Sequence, residues 1–188
     1  MPFALIFYVL VGVWMVSEMV LQRTHRSASS ASHQDAGSGI VISLTIWFSV
    51  IAAVVISQTH GGRIRMWESD IRIAGLTLIA LGMAVRWSAI LTLRHFFTVD
   101  VAIAADHRIV RSGPYRWIRH PSYSGTLLSC LGVGLAMANW IATLVLVLGP
   151  GLALANRIRV EERALRNAFP DEYPEYARST RRLIPGVF

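Results

Sequence analysis

Five apolar stretches with almost no charge govern what this chain of 188 residues can fold into. A helix needs about 20 mostly apolar residues to cross a bilayer. Residues 2–21 form one such stretch, broken only by Ser17 and Glu18. Residues 40–57, rich in Val and Ile, form a second, and residues 71–93, with Arg86 inside, a third. Two shorter stretches follow at 123–138 and 140–155, with Met137-Ala138-Asn139 as the turn of a tight helical hairpin. The expected fold is all-α and integral to a membrane: a single domain over 1–188 with about five transmembrane helices. The first stretch lacks the basic start and small-residue cleavage site of a signal peptide and reads as a retained span. Hydrophobic residues make up 54% of the chain and charged ones 15%, against about 45–50% and about 25% in soluble domains. That balance excludes a disordered chain and disfavours a soluble single-core enzyme. One cysteine, Cys130, excludes an internal disulfide.

The eighteen basic residues are all arginine and give a net charge of +7. Apart from Arg72 and Arg86, they sit between the apolar stretches and in the C-terminal tail, not along a soluble basic face. This reads as a membrane pattern and not as nucleic-acid binding. Segment 23–39 carries two arginines, 94–121 five and 157–182 seven, whereas 59–70 carries only Arg63 and Arg65. Five spans put the first three regions on one side. The positive-inside rule makes that side cytoplasmic and places the N-terminus outside. The polar segments 95–123 and 156–185 then face the cytoplasm. The first holds an alternating piece from Thr98 to Ile103 that suits a short extended segment. The second continues the last helix until Pro170, Pro174 and Pro185 interrupt it. Segment 23–39, rich in Ser, Ala and His, reads as a loop.

Arg86 lies about two turns inside its span and Glu18 about one turn inside its own. Charges in lipid are costly and pair or line a cavity. The two are expected to approach each other or a shared polar cavity; the ordinary alternative is snorkelling to the headgroups. Arg157 and Glu161 are four apart, as are Glu162 and Arg166, so each pair shares a helix face. The ordinary reading there is a salt-bridged helix end. His95, His107 and His120 are spaced by 12 and 13 residues, which matches no short ligand motif, and no metal site is expected. No Gly-x-Gly-x-x-Gly follows a strand, and no nucleophile elbow surrounds Ser122 or Ser124.

The densest cluster is Gly113-Pro-Tyr-Arg-Trp-Ile-Arg-His-Pro-Ser-Tyr-Ser-Gly125. Gly113-Pro114 makes one turn. His120-Pro121 makes another, because the residue before proline avoids the helical region, and proline suits the first turn of the helix that follows. A helix start attracts anions through its free N–H groups. Arg119 adds a fixed charge; Tyr115 and Tyr123 add π faces and hydroxyls. Together they suit a pocket for a charged aromatic ligand, with an interfacial aromatic and arginine belt as the ordinary alternative.

The segment His107-Arg-Ile-Val-Arg-Ser-Gly-Pro-Tyr115, followed by Arg119-His-Pro-Ser-Tyr-Ser-Gly125, resembles the signature of the isoprenylcysteine carboxyl methyltransferase family. A second half is present as Glu161-Glu162-x-x-Leu165-x-x-x-Phe169, Tyr173-x-x-Tyr176 and Leu183-Ile-Pro185. The resemblance implies an S-adenosylmethionine site at the cytoplasmic edge of the membrane. By that resemblance, His107, Arg108, Ile109 and Val110 line the adenosine pocket. Tyr115, Arg119 and the segment His120, Pro121, Ser122 and Tyr123 contact the cofactor. Glu161 takes its ribose or ammonium group, and Arg157 faces the methyl acceptor. Arg86 matches an arginine of the family's preceding span. The chain departs from the family pattern at Pro170 and Arg94, where glycine is usual, and at Asp100, where an uncharged polar residue is usual.

The implied activity is methyl transfer to a lipophilic small-molecule or prenylated acceptor, most simply carboxyl O-methylation. A carboxylate, with a pKa near ~4, is already ionised at pH 7 and needs no general base. An acceptor with a lipid tail would enter from the bilayer, and the soluble cofactor from the cytoplasm. The alternatives are an NADPH-dependent membrane reductase of the sterol type and a non-catalytic scaffold.

Overall fold

The computed structural model describes residues 2–24, 32–35, 38–59, 61–97, 101–103 and 108–186. Its helices are α1 (Pro2–Thr24), α2 (Ser38–Ser57), α3 (Glu68–Leu93), α4 (Pro121–Ala136), α5 (Trp140–Ala168) and α6 (Glu172–Ser179). Short 3-10 turns occur at Arg94–Phe96 and Gly113–Arg116. All five apolar stretches are helical. By length and composition α1, α2, α3 and α5 can each cross a membrane. With 16 residues, α4 rises about 24 Å, less than the ~30 Å of a hydrocarbon core. The outward faces fit lipid: Leu5, Tyr8, Phe48 and Leu152 are 67–74% exposed, a large apolar surface for a protein in water.

Small residues bring α3 and α4 together. A Cβ on Gly125 would come within 2.6 Å of the Gly82 carbonyl oxygen, and one on Gly132 within 2.6 Å of the Ile79 nitrogen. Close backbone approach of this kind replaces the hydrophobic drive that lipid removes. The hairpin turn lies where expected. Ala138 takes φ 49°, and the Asn139 side chain caps α5 by accepting from the N–H groups of Ile141 and Ala142, both at 3.0 Å. The Asn139 amide also donates to the Gly61 carbonyl at 2.9 Å, which ties the 58–67 loop to this end of the bundle.

Segment 23–39 is not wholly a loop. Its residues Ser32–Asp35 (β1) pair antiparallel with Val101–Ile103 (β2). The partners lie far apart in sequence, so local patterning could show only half of the pair. Residues 98–100, Asp100 included, lie outside the described residues. The ribbon, the turns before α4 and the tail all gather at the end of the bundle opposite the hairpin. Here α5 runs on to Ala168, and α6 folds back after Pro170.

Gly82→Ala is expected to cost about 1–3 kcal/mol by overpacking, read as a lower melting temperature in detergent. Gly12→Ala is the control. An added Cβ there meets nothing within 4 Å, and helix propensity alone favours alanine, so its melting temperature should hold or rise.

Candidate active site

The last turns of α5 present Arg157, Glu161 and Glu162 toward the start of α4. Arg157 and Glu162 are buried, at 3% and 4% exposure. Tyr123, in the first turn of α4, reaches between Arg157 and Glu161. Its hydroxyl donates to Glu161 Oε2 at 2.7 Å and accepts from Arg157 Nε at 3.3 Å. The four-residue pair of the sequence is thus joined through a tyrosine from another helix. His120 stacks on the Tyr123 ring, with centroids 5.5 Å apart and planes 9° from parallel. Its Nδ1 lies 3.8 Å from Glu161 Oε2 and its Nε2 3.5 Å from Glu162 Oε1.

Glu162 holds the surrounding chain together. Arg119 Nε donates to it at 3.1 Å, and Arg182 donates through Nε at 3.2 Å and Nη2 at 3.0 Å. Arg119 Nη1 also donates to the carbonyls of Ala177 at 2.8 Å and Thr180 at 2.6 Å. The tail then runs beside the segment before α4. The Arg119 and His120 N–H groups donate to the carbonyls of Arg181 and Arg182, and the Arg181 N–H donates to the Trp117 carbonyl. The Tyr176 hydroxyl donates to the Tyr115 carbonyl at 2.7 Å. Burial raises the pKa of Tyr115, reinforced by the nearby Glu161. Burial likewise pushes Tyr176 up to about 12. Both phenols therefore stay protonated at neutral pH, and the wall they form carries no charge.

A second group lies deeper between the helices. Arg86 Nη2 donates to Glu18 Oε2 at 2.6 Å, and Arg86 Nε stands 2.5 Å from Glu18 Oε1. The approach expected from their depth is present as a two-point pair. Arg86 Nη1 donates to Ser122 Oγ at 2.7 Å. A small pocket of about 50 Å³ is lined by Glu18, Gln22, Arg86, Phe97, Tyr123 and Arg157, among others. Arg108, Ile109 and Val110 line a different, open cavity of about 1040 Å³ at the end of α3, beside Trp87, Arg94 and Phe96.

The residues singled out in the sequence therefore fall into distinct places. His120, Tyr123, Arg157 and Glu161 meet directly, with Tyr115 in the adjoining wall. Arg108, Ile109 and Val110 lie in the neighbouring cavity, and His107 is outside the described residues. Pro121 begins α4 and is fully buried. The Arg119 guanidinium, expected to offer a charge to a ligand, is committed to Glu162 and tail carbonyls. The Ser122 hydroxyl is likewise turned to Arg86. Spacing gave no hint of the part played by Glu162. Its visible partner, Arg166, is 57% exposed and 3.8 Å away, whereas Arg119 lies 43 positions off in sequence.

These features define an all-α integral membrane protein with a charged, aromatic site at one end of its helices. The fold matches that of the eukaryotic intramembrane Ras methyltransferase ICMT, with a TM-score of 0.65 over 96% of this chain and 65% of that one, at 24% identity. Residues 75–167 match the isoprenylcysteine carboxyl methyltransferase (ICMT) family. Protein-S-isoprenylcysteine O-methyltransferase B of Arabidopsis thaliana is 36% identical over 115 residues, covering 60% of this chain and 58% of that protein. The Saccharomyces cerevisiae protein-S-isoprenylcysteine O-methyltransferase is 34% identical over 117 residues, 61% of this chain and 49% of that protein. Just under half of the chain, residues 75–167, is thus similar to the isoprenylcysteine carboxyl methyltransferase family. It spans about three-fifths of the length of the plant relatives it matches.

Arg119→Ala would strand the buried Glu162 beside fewer cations and is expected to cost about 3–5 kcal/mol. Arg166→Ala should stay within about 0.5 kcal/mol, as exposed pairs do. Melting temperature and protease sensitivity of the C-terminal tail check the contrast.

Proposed function

We propose that this chain transfers a methyl group from S-adenosylmethionine to the carboxylate of a lipophilic acceptor of the prenylcysteine type, at the cytoplasmic face of the membrane. The observation that carries the reading is the Tyr123 hydroxyl joining Arg157 to Glu161. It sets a cation beside a small pocket that shares a wall with the helix bundle, and an anion beside the polar segments. The family match favours methyl transfer over reduction with NADPH. The cytoplasmic assignment rests on the arginines gathered at the site end of the chain.

The residues fit such a cofactor. Glu161 keeps 31% of its side chain exposed and can accept from a ribose hydroxyl or an ammonium group. Among the described residues the buried Tyr173 hydroxyl has no hydrogen-bond partner, which leaves a polar atom for a ligand. The cavity at Arg108, Ile109 and Val110, with Trp87 and Phe96 in its wall, has room for an aromatic base. When bound, S-adenosylmethionine supplies an electrophilic methyl group on a sulfonium.

The chain's part is placement. Arg157 attracts the acceptor carboxylate, and Tyr123 fixes the guanidinium relative to Glu161. The carboxylate attacks in its ionised form, so no side chain has to remove a proton. Holding the two reactants in line is worth up to about 7–11 kcal/mol. Tyrosine faces favour a cationic centre by cation–π attraction. The apolar outer faces of the helices let an acceptor tail remain in lipid.

Calorimetry on the detergent-purified protein should show binding of S-adenosylhomocysteine and none of NADPH. Glu161→Ala should weaken that binding about 10–100-fold, the loss of about 1.5–3 kcal/mol for a charged hydrogen bond. Arg157→Ala should mainly raise KM for a prenylated cysteine analogue. NADPH binding alone would overturn the reading.

A further inference from the structure

α5 is longer than a membrane span requires. Its 29 residues rise about 43 Å, enough to cross a hydrocarbon core of about 30 Å and enter the headgroup layer beyond it. Trp140, 54% exposed at its start, is of the residue type that marks one interface. Counted from there, Arg159, Arg163 and Arg166 stand about 28, 34 and 39 Å along the helix, at the depth of the opposite headgroups. Their spacing of four and three puts them on one stripe, and all three are exposed. Among the described residues no carboxylate pairs with Arg159 or Arg163, and Arg166 stands 3.8 Å from Glu162. Like charges four apart on a helix repel, so the stripe lowers stability unless an anion meets it.

A second group of cations lies at the same end. Arg116 and Arg181 are exposed, and the Arg116 guanidinium lies over the Trp117 ring, 4.9 Å from its centroid. The Arg181 N–H donates to the Trp117 carbonyl at 3.0 Å. The Ser124 hydroxyl, in the first turn of α4, donates to the Leu183 carbonyl at 2.6 Å, which holds the tail at the level where that helix starts. Trp117 and Ile184 keep 57% and 54% of their surface exposed there. The tail and the α5 stripe adjoin, since Arg182 and Arg166 approach the same Glu162 oxygen.

We propose that the arginine stripe of α5, with Arg116, Trp117 and Arg181 beside it, is a docking surface for anionic phospholipid headgroups of the adjacent leaflet. Guanidinium groups bind phosphate oxygens through paired N–H groups, and an anionic leaflet attracts arginines placed near its surface. Headgroups there offset the repulsion along the stripe. Trp117 and Ile184 sit where an acyl boundary receives apolar side chains, whereas a soluble polyanion such as a nucleic acid offers them nothing. The inference goes beyond the methyltransferase reading and does not depend on it, because none of these side chains serves cofactor or acceptor in that reading.

The test is native mass spectrometry of the full chain in detergent, titrated with phosphatidylglycerol or phosphatidylcholine. Each arginine near an anionic surface contributes roughly fivefold in affinity, so the wild type should hold phosphatidylglycerol at least about tenfold more tightly. Arg159→Gln combined with Arg163→Gln should weaken phosphatidylglycerol about 10–30-fold and leave phosphatidylcholine unchanged. Both side chains are exposed, so the melting temperature should match that of the wild type. If that pair does not yield folded protein, Arg116→Gln with Arg181→Gln decides, and should lower the same affinity. Arg63→Gln with Arg65→Gln removes equal charge from the opposite end of the bundle and should keep the lipid preference. An equal loss in that control, or an undiminished preference in the α5 pair, overturns the proposal. A wild type that takes heparin or inorganic phosphate but does not distinguish the two lipids has a surface for soluble anions, which also overturns it.

Discussion

A carboxylate buried at the end of a long helix is unstable unless cations come to it, and the geometry around Glu162 follows from that requirement. Losing hydration costs a buried ion several kcal/mol, which only well-placed partners recover. Arg119 comes from the turn before α4 and Arg182 from the tail, and both donate to Glu162. Meeting at one carboxylate forces the two segments to lie side by side. The tail then docks by backbone hydrogen bonds, and Tyr176 reaches back to the Tyr115 carbonyl. The neighbouring Glu161 inherits a fixed place from this arrangement and keeps an exposed edge. One glutamate thus builds the wall, and in the proposed function its neighbour Glu161 meets the cofactor.

Two arginine-centred groups therefore serve two ends of one site. Around Glu162, charges hold the end of the bundle where the tail and the turn before α4 lie side by side. Around Glu18 and Arg86, charges hold the side embedded in helices. Tyr123 stands between them on α4, whose first residue is proline and whose glycines let it press against α3. Close α3–α4 packing sets the depth of Tyr123, and its hydroxyl bonds to Glu161 and Arg157 set its direction. In the reading offered here, this is how one small fold keeps a water-soluble donor and a lipid-soluble acceptor within reach of each other.

Much of the fold was legible in the sequence, because lipid imposes length and apolarity directly on each span. The five helices and the Met137-Ala138-Asn139 turn lie where apolar runs and a helix-capping asparagine put them. The Arg86–Glu18 approach was legible too, since a charge at that depth has few places to go. The antiparallel ribbon was not, because β1 shows its partner only after the chain has returned past α3. The roles of Arg119 and Ser122 also escaped. Their residue types suit a ligand, yet their hydrogen bonds go to Glu162 and Arg86, partners fixed by tertiary folding and not by spacing. The open cavity at Arg108, Ile109 and Val110 lay in the motif by resemblance, but its separation from the Tyr123 cluster is a property of the fold.

Glu162 clamps the turn before α4 to the C-terminal tail. Cysteines at the exposed positions Trp117 and Arg181, whose backbones are joined by a 3.0 Å hydrogen bond, test it in a Cys130→Ala background with a short bis-thiol reagent. A rapid intramolecular cross-link is expected, falling steeply when Glu162→Ala is added. Absence of the cross-link with Glu162 intact, or the same yield without it, would mean that Glu162 does not hold the turn and tail together.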